Sequence, residues 1–166
     1  RKRIENIESI PFADYDAIVI SDYDKGFLSE DDIEYICNLS DNVFLNTKKK
    51  ITHKFLGARF IQLNQYEYEE SKKEISYMND KIRNKLIVTS GDKGCYYKGD
   101  LYSPPTKVEA RDLSGAGDTF MAALAIGVTS HKKSISTAID WAQQCAADVI
   151  TRRGVVTTKI SEKLEQ

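Results

Sequence analysis

The sequence predicts an α/β fold with a mostly parallel sheet and a late β-hairpin. Short apolar runs rich in β-branched residues alternate with segments of helical periodicity, as in chains that build parallel sheets with crossover helices. A hairpin pattern appears only after the fourth of these runs. With 166 residues, the chain is long enough for a substantial core. We therefore expect a single domain over residues 1–166.

Four apolar runs are the predicted parallel strands. Each is short and apolar, as expected for strands buried on both faces. They lie at residues 16–21, 43–45, 60–63 and 86–89. A loop at residues 22–27 follows the first strand, and the basic stretch Lys48-Lys49-Lys50 follows the second.

Two helices are predicted between these strands. Ser29 begins the first, because Ser-Glu-Asp-Asp at residues 29–32 resembles a capping box. The second, over residues 66–83, is very polar and is interrupted near Met78 or Asn79. The side chains of the first helix predicted to face the core are Ile33, Ile36, Cys37 and, as a candidate fourth, Leu39.

The second part of the chain begins with the hairpin. Its strands are predicted at residues 95–97 and 101–102, around a turn at residues 98–100. A further strand is predicted at about residues 107–110, and two buried helices follow, over about residues 116–128 and after Ser134. Their core-facing positions are predicted to be Phe120, Ala123, Leu124, Gly127, Ile135, Ala138, Ile139, Ala142, Cys145, Ala146, Val149 and Ile150.

Composition and charge argue against several classes of function. Lys plus Arg number 24 against 25 Asp plus Glu, so we expect neither nucleic acid nor a membrane surface as a partner. No apolar run approaches the roughly 20 residues that a transmembrane helix needs. The cysteines, Cys37, Cys95 and Cys145, are expected to be reduced packing residues of a cytoplasmic protein. The isolated His53 and His131 predict no zinc site.

The strongest functional signal is the sequence Asp-Leu-Ser-Gly-Ala-Gly-Asp at residues 112–118. Gly115, Ala116 and Gly117 open a predicted helix, and glycine permits left-handed backbone angles and close approach of a ligand. The first N–H groups of a helix lack intrahelical partners and lie at the positive end of its dipole. The loop therefore predicts an anion site suited to a phosphate.

Asp118 falls in the first turn of this helix, beside the predicted anion site. Since a carboxylate repels a phosphate, a purely binding role is unfavourable, whereas a general base that accepts the proton of an attacking hydroxyl fits. The alternative is a helix cap, where Asp is common, and the spacing alone leaves both open. The loop is not a P-loop, because Gly-x-x-x-x-Gly-Lys-Ser/Thr does not occur.

These residues carry a resemblance to a known family. Asp-Leu-Ser-Gly-Ala-Gly-Asp-Thr at residues 112–119 resembles the second signature of the PfkB, or ribokinase-like, carbohydrate kinases. Asn-Gln-Tyr-Glu at residues 64–67 is similar to the family's Asn-x-x-Glu motif. Thr-Ser-Gly at residues 89–91, with Gly94, resembles the strand-end turn that touches the nucleotide phosphates. Ser-Asp-Tyr-Asp-Lys-Gly at residues 21–26 is similar to a loop of the branch that phosphorylates D-glycero-D-manno-heptose 7-phosphate.

The resemblance covers residues 16–158 and implies a ribokinase-like (Rossmann-like) three-layer α/β/α fold and an ATP-dependent sugar or sugar phosphate kinase. Asp118 would be the general base, and the amides of Gly115, Ala116 and Gly117 would form an anion hole. Asn64 and Glu67 would organise Mg²⁺ through water, alongside phosphate. The other residues implied to bind ATP are Thr89, Gly91, Gly94, Asp112, Ser114, Ala142, Gln143 and Ala146.

Several positions depart from the family pattern. Asn46-Thr47-Lys48 stands where the heptose branch usually has Asp-Pro-Lys, so a carboxylate is lost near the phosphates and the substrate assignment is weakened. Lys48 is a candidate contact for the substrate phosphate, although a lysine in a basic run is more often solvated. Gln143 replaces a frequent Asn, and Ser114 replaces a usual Thr.

The sequence contains no counterpart of the family's first half, which supplies the lid and most sugar contacts. Because the chain starts at Arg1 without Met, we expect a piece of a longer protein that is poorly active alone. An unpaired sheet edge would favour a homodimer, and a fused nucleotidyltransferase domain is a candidate neighbour. Two alternatives stay open: a PfkB-type kinase of ribose, fructose phosphate or nucleosides, and a non-catalytic nucleotide-binding remnant.

Overall fold

The computed structural model describes residues 3–78 and 80–158. Of the two positions predicted for the helix interruption, Met78 ends a helix and Asn79 lies outside the described residues. The chain divides into two compact units. The first comprises Arg1–Gly91 and Cys95–Leu101, and the second comprises Asp92–Gly94 and Tyr102–Gln166. A single domain over residues 1–166 stays a prediction.

The six strands form one sheet, in which their spatial order is the same as their order in the sequence. The strands are β1 (Ile18–Asp22), β2 (Val43–Thr47), β3 (Phe60–Asn64), β4 (Leu86–Thr89), β5 (Cys95–Tyr97) and β6 (Asp100–Tyr102). The pairs from β1 to β4 are parallel, and β5 is antiparallel to β4. Lys98 and Gly99 join β5 to β6 with φ angles of 53° and 90°, the left-handed pair that a two-residue hairpin turn requires. The predicted α/β class with a late hairpin is confirmed.

Five α-helices and four short 3₁₀ helices complete the described structure. The α-helices are α1 (Glu30–Leu39), α2 (Gln65–Met78), α3 (Asp80–Arg83), α4 (Ala116–Thr129) and α5 (Ile135–Ile150). The 3₁₀ helices are Ile7–Ser9, Phe12–Asp14, His53–Gly57 and Gly91–Lys93. Among the helices described, none is both long enough and apolar enough to cross a bilayer.

The predicted capping box begins α1. The Asp32 N–H donates to Ser29 Oγ at 3.1 Å, and the Ser29 N–H donates to Asp32 Oδ2 at 2.8 Å. Arg3 makes a bidentate ion pair with Asp32, donating from Nε to Asp32 Oδ2 at 3.0 Å and from Nη2 to Asp32 Oδ1 at 2.8 Å. The Arg3 guanidinium, helped by Ser29 and opposed by burial, holds the pKa of the Asp32 carboxyl well below its usual range. Asp32 thereby ties the start of α1 to Arg3.

The main hydrophobic cluster of the first unit lies on one face of the sheet. Its strand residues are Ile18, Ile20, Val43, Leu45, Ile61, Leu63 and Leu86. The packing partners include Ile33, Ile36, Cys37, Ile51, Phe55, Ala58, Ile75 and Ile82. The candidate position Leu39 is wrong, since its side chain is 44% exposed. At 3.6 residues per turn it lies about 120° around the helix from Ile33, off the apolar stripe.

Helices α4 and α5 form the core of the second unit. Gly127 permits their close approach, since a Cβ there would lie 3.1 Å from the Trp141 ring and 3.2 Å from Ala138 Cβ. The buried positions are Phe120, Met121, Ala123, Leu124, Ala125, Gly127, Ala138, Ile139, Trp141, Ala142, Gln143, Cys145 and Val149. Ile135, Ala146 and Ile150 are half-buried, so most of the predicted stripe is confirmed.

The strand predicted at residues 107–110 is wrong. These residues are exposed and form no part of the sheet, because a β-like sequence becomes a strand only where a neighbour pairs with its backbone. The cysteines, by contrast, are buried thiols as expected. Burial raises the pKa of the Cys37 thiol to about 11.

We predict that Asp32→Asn lowers the free energy of unfolding by about 1–2 kcal/mol at pH 7, because it weakens the capping box and the Arg3 ion pair. The native pKa of Asp32 lies below its unfolded value of about 3.9, so its stabilisation is present above that pH and is lost as the pH falls below it. Urea unfolding at pH 6 and pH 3 should show the difference between wild type and variant shrinking in acid.

Asp31→Asn is the matched control for this test. Asp31 lies in the same helical turn and pairs with Lys54, but its side chain is 75% exposed. We expect a change below about 1 kcal/mol at pH 6. An Asp32→Asn effect as small as that of Asp31→Asn would contradict a stabilising role for Asp32.

Candidate functional site

Each of the four parallel strands ends in a polar residue. These residues are Asp22 in β1, Thr47 in β2, Asn64 in β3 and Thr89 in β4. Asp22 is the register partner of Thr47, and Asn64 is the register partner of Thr89. Because parallel strands share one carboxyl edge, these side chains line the edge at which open α/β sheets bind their ligands.

Asn64 and Glu67 form a closed hydrogen-bonded pair at the start of α2. The Glu67 N–H donates to Asn64 Oδ1, and the Asn64 N–H donates to Glu67 Oε2, both at 2.8 Å. Asn64 Nδ2 also donates to Glu67 Oε1 at 2.8 Å. This is the reciprocal geometry of a capping box, with Asn in place of Ser or Thr. The Asn-x-x-Glu spacing therefore has a structural role of its own.

Lys48 contacts the same carboxylate. Its Nζ pairs with Glu67 Oε1, and its backbone N–H donates to the Asp22 carbonyl oxygen at 2.9 Å. The Glu67 side chain is 10% exposed and that of Lys48 is 40% exposed. The structure thus brings the predicted Asn-x-x-Glu pair together with Lys48, which was predicted separately as a phosphate contact.

The donor chemistry at Asn64 and Glu67 fits a magnesium ion held mainly through water. Carboxylate and amide oxygens are the ligand types that Mg²⁺ prefers, and it keeps several of its waters in such sites. Over residues 3–78 and 80–158, no three His, Cys, Asp or Glu side chains group together as metal ligands.

A second polar cluster surrounds Asp22 and was not predicted. Asp22 is buried, and its Oδ2 accepts from Thr47 Oγ1 at 2.8 Å. Lys49 Nζ lies 3.4 Å from the same oxygen and also pairs with Asp24. Burial lowers the pKa of Lys49, but Asp24 and Asp22 outweigh it, so the net shift is upward. The signal available in the sequence was an Asp at a strand end, with a Lys run after the next strand.

Asn46 pairs across two strands with a buried amide. Its Nδ2 donates to Gln62 Oε1 at 3.3 Å, and the two residues are register partners in β2 and β3. The position where the heptose branch usually has a carboxylate is thus occupied by a neutral amide with a protein partner.

The glycine loop lies in the second unit, and Gly115 is the N-cap of α4 with φ 79° and ψ 0°. Only glycine adopts this left-handed conformation without a steric penalty. Ala116 and Gly117 are the first two helical residues, and the half-buried Asp118 is the third. Asp118 is therefore not the N-cap residue. The Ala116 N–H donates to the Leu113 carbonyl oxygen at 3.3 Å.

Asp112 fastens this loop to the turn after α5. Its Oδ1 accepts from the Ser114 N–H and its Oδ2 from the Gly154 N–H, both at 2.9 Å. The Arg111 and Asp112 N–H groups donate to the Ile150 carbonyl oxygen. The Ser114 and Gly154 hydrogen bonds lower the pKa of Asp112. ATP contacts by Asp112 and Ser114 stay a prediction.

Gly94 and Gln143 meet in the second unit. Gly94 has φ 97°, and a Cβ there would lie 2.0 Å from the Tyr102 carbonyl oxygen and 2.7 Å from Gln143 Oε1. Gln143 Nε2 donates to the Ser103 carbonyl oxygen at 3.4 Å, while its buried Oε1 has no partner among the described residues.

The remaining residues predicted to bind ATP are spread over both units. Gly91 has φ 58° and open space where a Cβ would lie, and Thr89 Oγ1 donates to the Leu63 carbonyl oxygen at 3.3 Å. Ala142 is fully buried in the helical core, whereas Ala146 is half-buried. A nucleotide contact by the Ala142 side chain would thus need a change in that core.

Comparison with known proteins gives one family and one fold. The model of the pfkB family carbohydrate kinases matches residues 29–162. The chain is 27% identical to the bifunctional protein HldE of a Nitratiruptor species, over 98% of this chain and 38% of that protein. It is 31% identical to the protein of the same name from Sulfurimonas denitrificans, over 89% of this chain and 35% of that protein. The chain thus spans less than two fifths of these relatives.

Solved structures establish the ribokinase-like fold. Ribokinase from Thermotoga maritima superposes with a TM-score of 0.72 at 20% identity, over 95% of this chain and 60% of the other. A nucleoside kinase from Burkholderia thailandensis in complex with inosine gives a TM-score of 0.68 at 19% identity, over 90% of this chain and 53% of the other. At these identities the likeness extends to the fold alone.

We predict that Gly94→Ala lowers the free energy of unfolding by at least about 3 kcal/mol, because it adds a clash with the Tyr102 carbonyl to a left-handed backbone. Gly99→Ala is the control, since Gly99 has φ 90° but no atom within 4 Å of the added Cβ. The control should cost about 1–2 kcal/mol. Equal losses in denaturant unfolding would show that the close approach at Gly94 does not matter.

Proposed function

The chain belongs to the pfkB family of carbohydrate kinases, and from this premise we propose that it supplies the ATP-binding and catalytic-base part of a sugar or sugar phosphate kinase. The observation that carries the proposal is the geometry at the start of α4. A left-handed Gly115 opens the helix, and Asp118 lies in its first turn. This would combine an anion site with a carboxylate, and because a carboxylate repels a phosphate, the pairing favours a general base over a purely phosphate-binding role.

Asp118 would act as the general base. In this role its carboxylate takes the proton from the acceptor hydroxyl as that oxygen attacks the γ-phosphorus of ATP, and the bond from phosphorus to the bridging oxygen of ADP breaks. Charge spreads over the oxygens of the transferring group, where backbone N–H donors at a helix start stabilise it. Because the Ala116 N–H already donates to Leu113, the anion hole would rest mainly on the amides of Gly115 and Gly117.

Asn64 and Glu67 would hold the metal that accompanies ATP. When bound, Mg²⁺ neutralises phosphate charge. The capping-box geometry fixes both side chains before any ligand arrives, so their oxygens need little reordering to accept the waters of a hydrated ion.

D-glycero-D-manno-heptose 7-phosphate is the proposed acceptor. The loop at residues 21–26 resembles that branch, and the relatives named HldE support the same choice. Asn46 favours the alternatives, either a PfkB-type kinase of ribose, fructose phosphate or nucleosides, or a non-catalytic nucleotide-binding remnant, because its amide replaces a carboxylate usual in the heptose branch.

A transfer assay with the longest natural form of the protein tests this proposal. It would measure ADP release and phosphorylated product for heptose 7-phosphate, fructose phosphates, ribose and nucleosides. We expect Mg²⁺-dependent turnover with the heptose phosphate preferred. Preference for another acceptor supports the first alternative, and ATP binding without transfer to any acceptor supports the remnant. A homodimer and a fused nucleotidyltransferase domain stay proposals about that longer form.

Asp118→Asn should lower kcat by about 10²–10⁴-fold, since the variant keeps the shape of the side chain but removes the base. ATP affinity should be unchanged or slightly tighter, because a negative charge beside the phosphate is lost. Asp140→Asn, on the exposed side of α5, is the control and should leave kcat unchanged. Full activity in Asp118→Asn would remove the general base from the mechanism.

A further inference from the structure

We propose that Lys48 is the built-in counter-ion of Glu67 and weakens divalent-cation binding at the Asn64–Glu67 pair until an anionic phosphate draws the ammonium away. This inference rests on the proposed function, because it assumes that the pair serves a hydrated metal ion. It assigns Lys48 a positioning role that the sequence did not indicate.

The Glu67 carboxylate accepts from two residues, Asn64 and Lys48. Its Oε1 accepts from Asn64 Nδ2 and pairs with Lys48 Nζ, and its Oε2 accepts from the Asn64 N–H. Three donors therefore surround one carboxylate whose side chain is only 10% exposed. Two of the three belong to Asn64, which is fixed by the helix start. The Lys48 ammonium is the only charged donor among these three, so it is the one that a cation must displace or tolerate.

The backbone of Lys48 is held in place, whereas its side chain is free enough to change partner. It follows the last residue of β2, and its backbone N–H is held by the Asp22 carbonyl at 2.9 Å. Only the side chain is then left to move, and at 40% exposure it has room to do so. Lysine presents a mobile point charge on a flexible stem, which suits exchange between two partners better than a rigid fork would.

The Lys48 ammonium would repel a divalent cation but attract a phosphate. A divalent cation at Glu67 would lie within a few ångströms of the ammonium and would be repelled by it. A phosphate that arrives with the metal offers Lys48 a second anionic partner and relieves that repulsion. The carboxylate would thus favour the metal–phosphate complex over the free metal, so free cation would occupy the site less often in the absence of phosphate.

The affinity of the longest natural form of the protein for Mn²⁺ tests this inference. It would be measured by electron paramagnetic resonance in the absence of nucleotide. Lys48→Met keeps most of the apolar stem and removes the charge, so we expect Mn²⁺ to bind about tenfold more tightly than to wild type. Lys48→Gln should behave in the same way, and Lys48→Arg should not. Lys50→Met is the matched control: it makes the same change in net charge at an exposed position of the same loop and should leave Mn²⁺ affinity unchanged.

A Glu67→Gln background locates the effect. In that background, Lys48→Met should no longer raise the Mn²⁺ affinity, because Glu67→Gln has already removed the carboxylate that the Lys48 ammonium neutralises. Equal Mn²⁺ affinity in wild type and Lys48→Met, or a gain that persists with Glu67→Gln, would overturn the inference. Either result leaves the kinase proposal intact if sugar phosphate transfer is observed. Loss of that transfer activity in every assay would instead remove the proposed function, whatever the Mn²⁺ data show.

Discussion

Parallel strands end at a common edge, and the polar chemistry of the first unit depends on this constraint. Asp22, Thr47, Asn64 and Thr89 are far apart in sequence, yet each is the last residue of its strand. The strand residues before them are mostly buried and apolar, so the strand ends are left to carry hydrogen-bonding groups. Lys48 meets Glu67 because Lys48 follows β2 and Glu67 lies in the first turn of α2, the helix after the neighbouring strand β3.

The segments proposed to bind ligands are held in place by the same residues that were expected to act on those ligands. Asn64 and Glu67 close a capping box, and Asp112 binds backbone N–H groups on both sides of its loop. A side chain that already accepts hydrogen bonds in the ligand-free chain is preorganised, so less ordering is required when a ligand arrives. The structural role of these residues is therefore compatible with the ligand-binding role proposed for them.

Local patterns in the sequence predicted the local structure well. The capping box at Ser29, the strand at Leu86–Thr89 and the hairpin all depend on residues close together in the chain. The strand expected at residues 107–110 was wrong because a strand needs a neighbour that no local pattern supplies.

Contacts between distant residues account for what was missed at the site. The Lys48–Glu67 pair, the Asp22–Thr47–Lys49 cluster and the Asp112–Gly154 hydrogen bond each join segments brought together only by the fold. The resemblance identified Glu67 and Asp112 as candidates, but it could not show which protein groups already hold their oxygens.

The central claim is that the glycine loop at the start of α4 binds the transferring phosphate through its backbone N–H groups. Backbone amide NMR tests this claim most directly. A ¹⁵N-labelled sample of the longest natural form would be titrated with Mg²⁺ and a non-hydrolysable ATP analogue. We expect the amide signals of Gly115 and Gly117 to shift among the most strongly as the analogue saturates, because their N–H groups would contact the γ-phosphate. Saturation with both signals unmoved would contradict it.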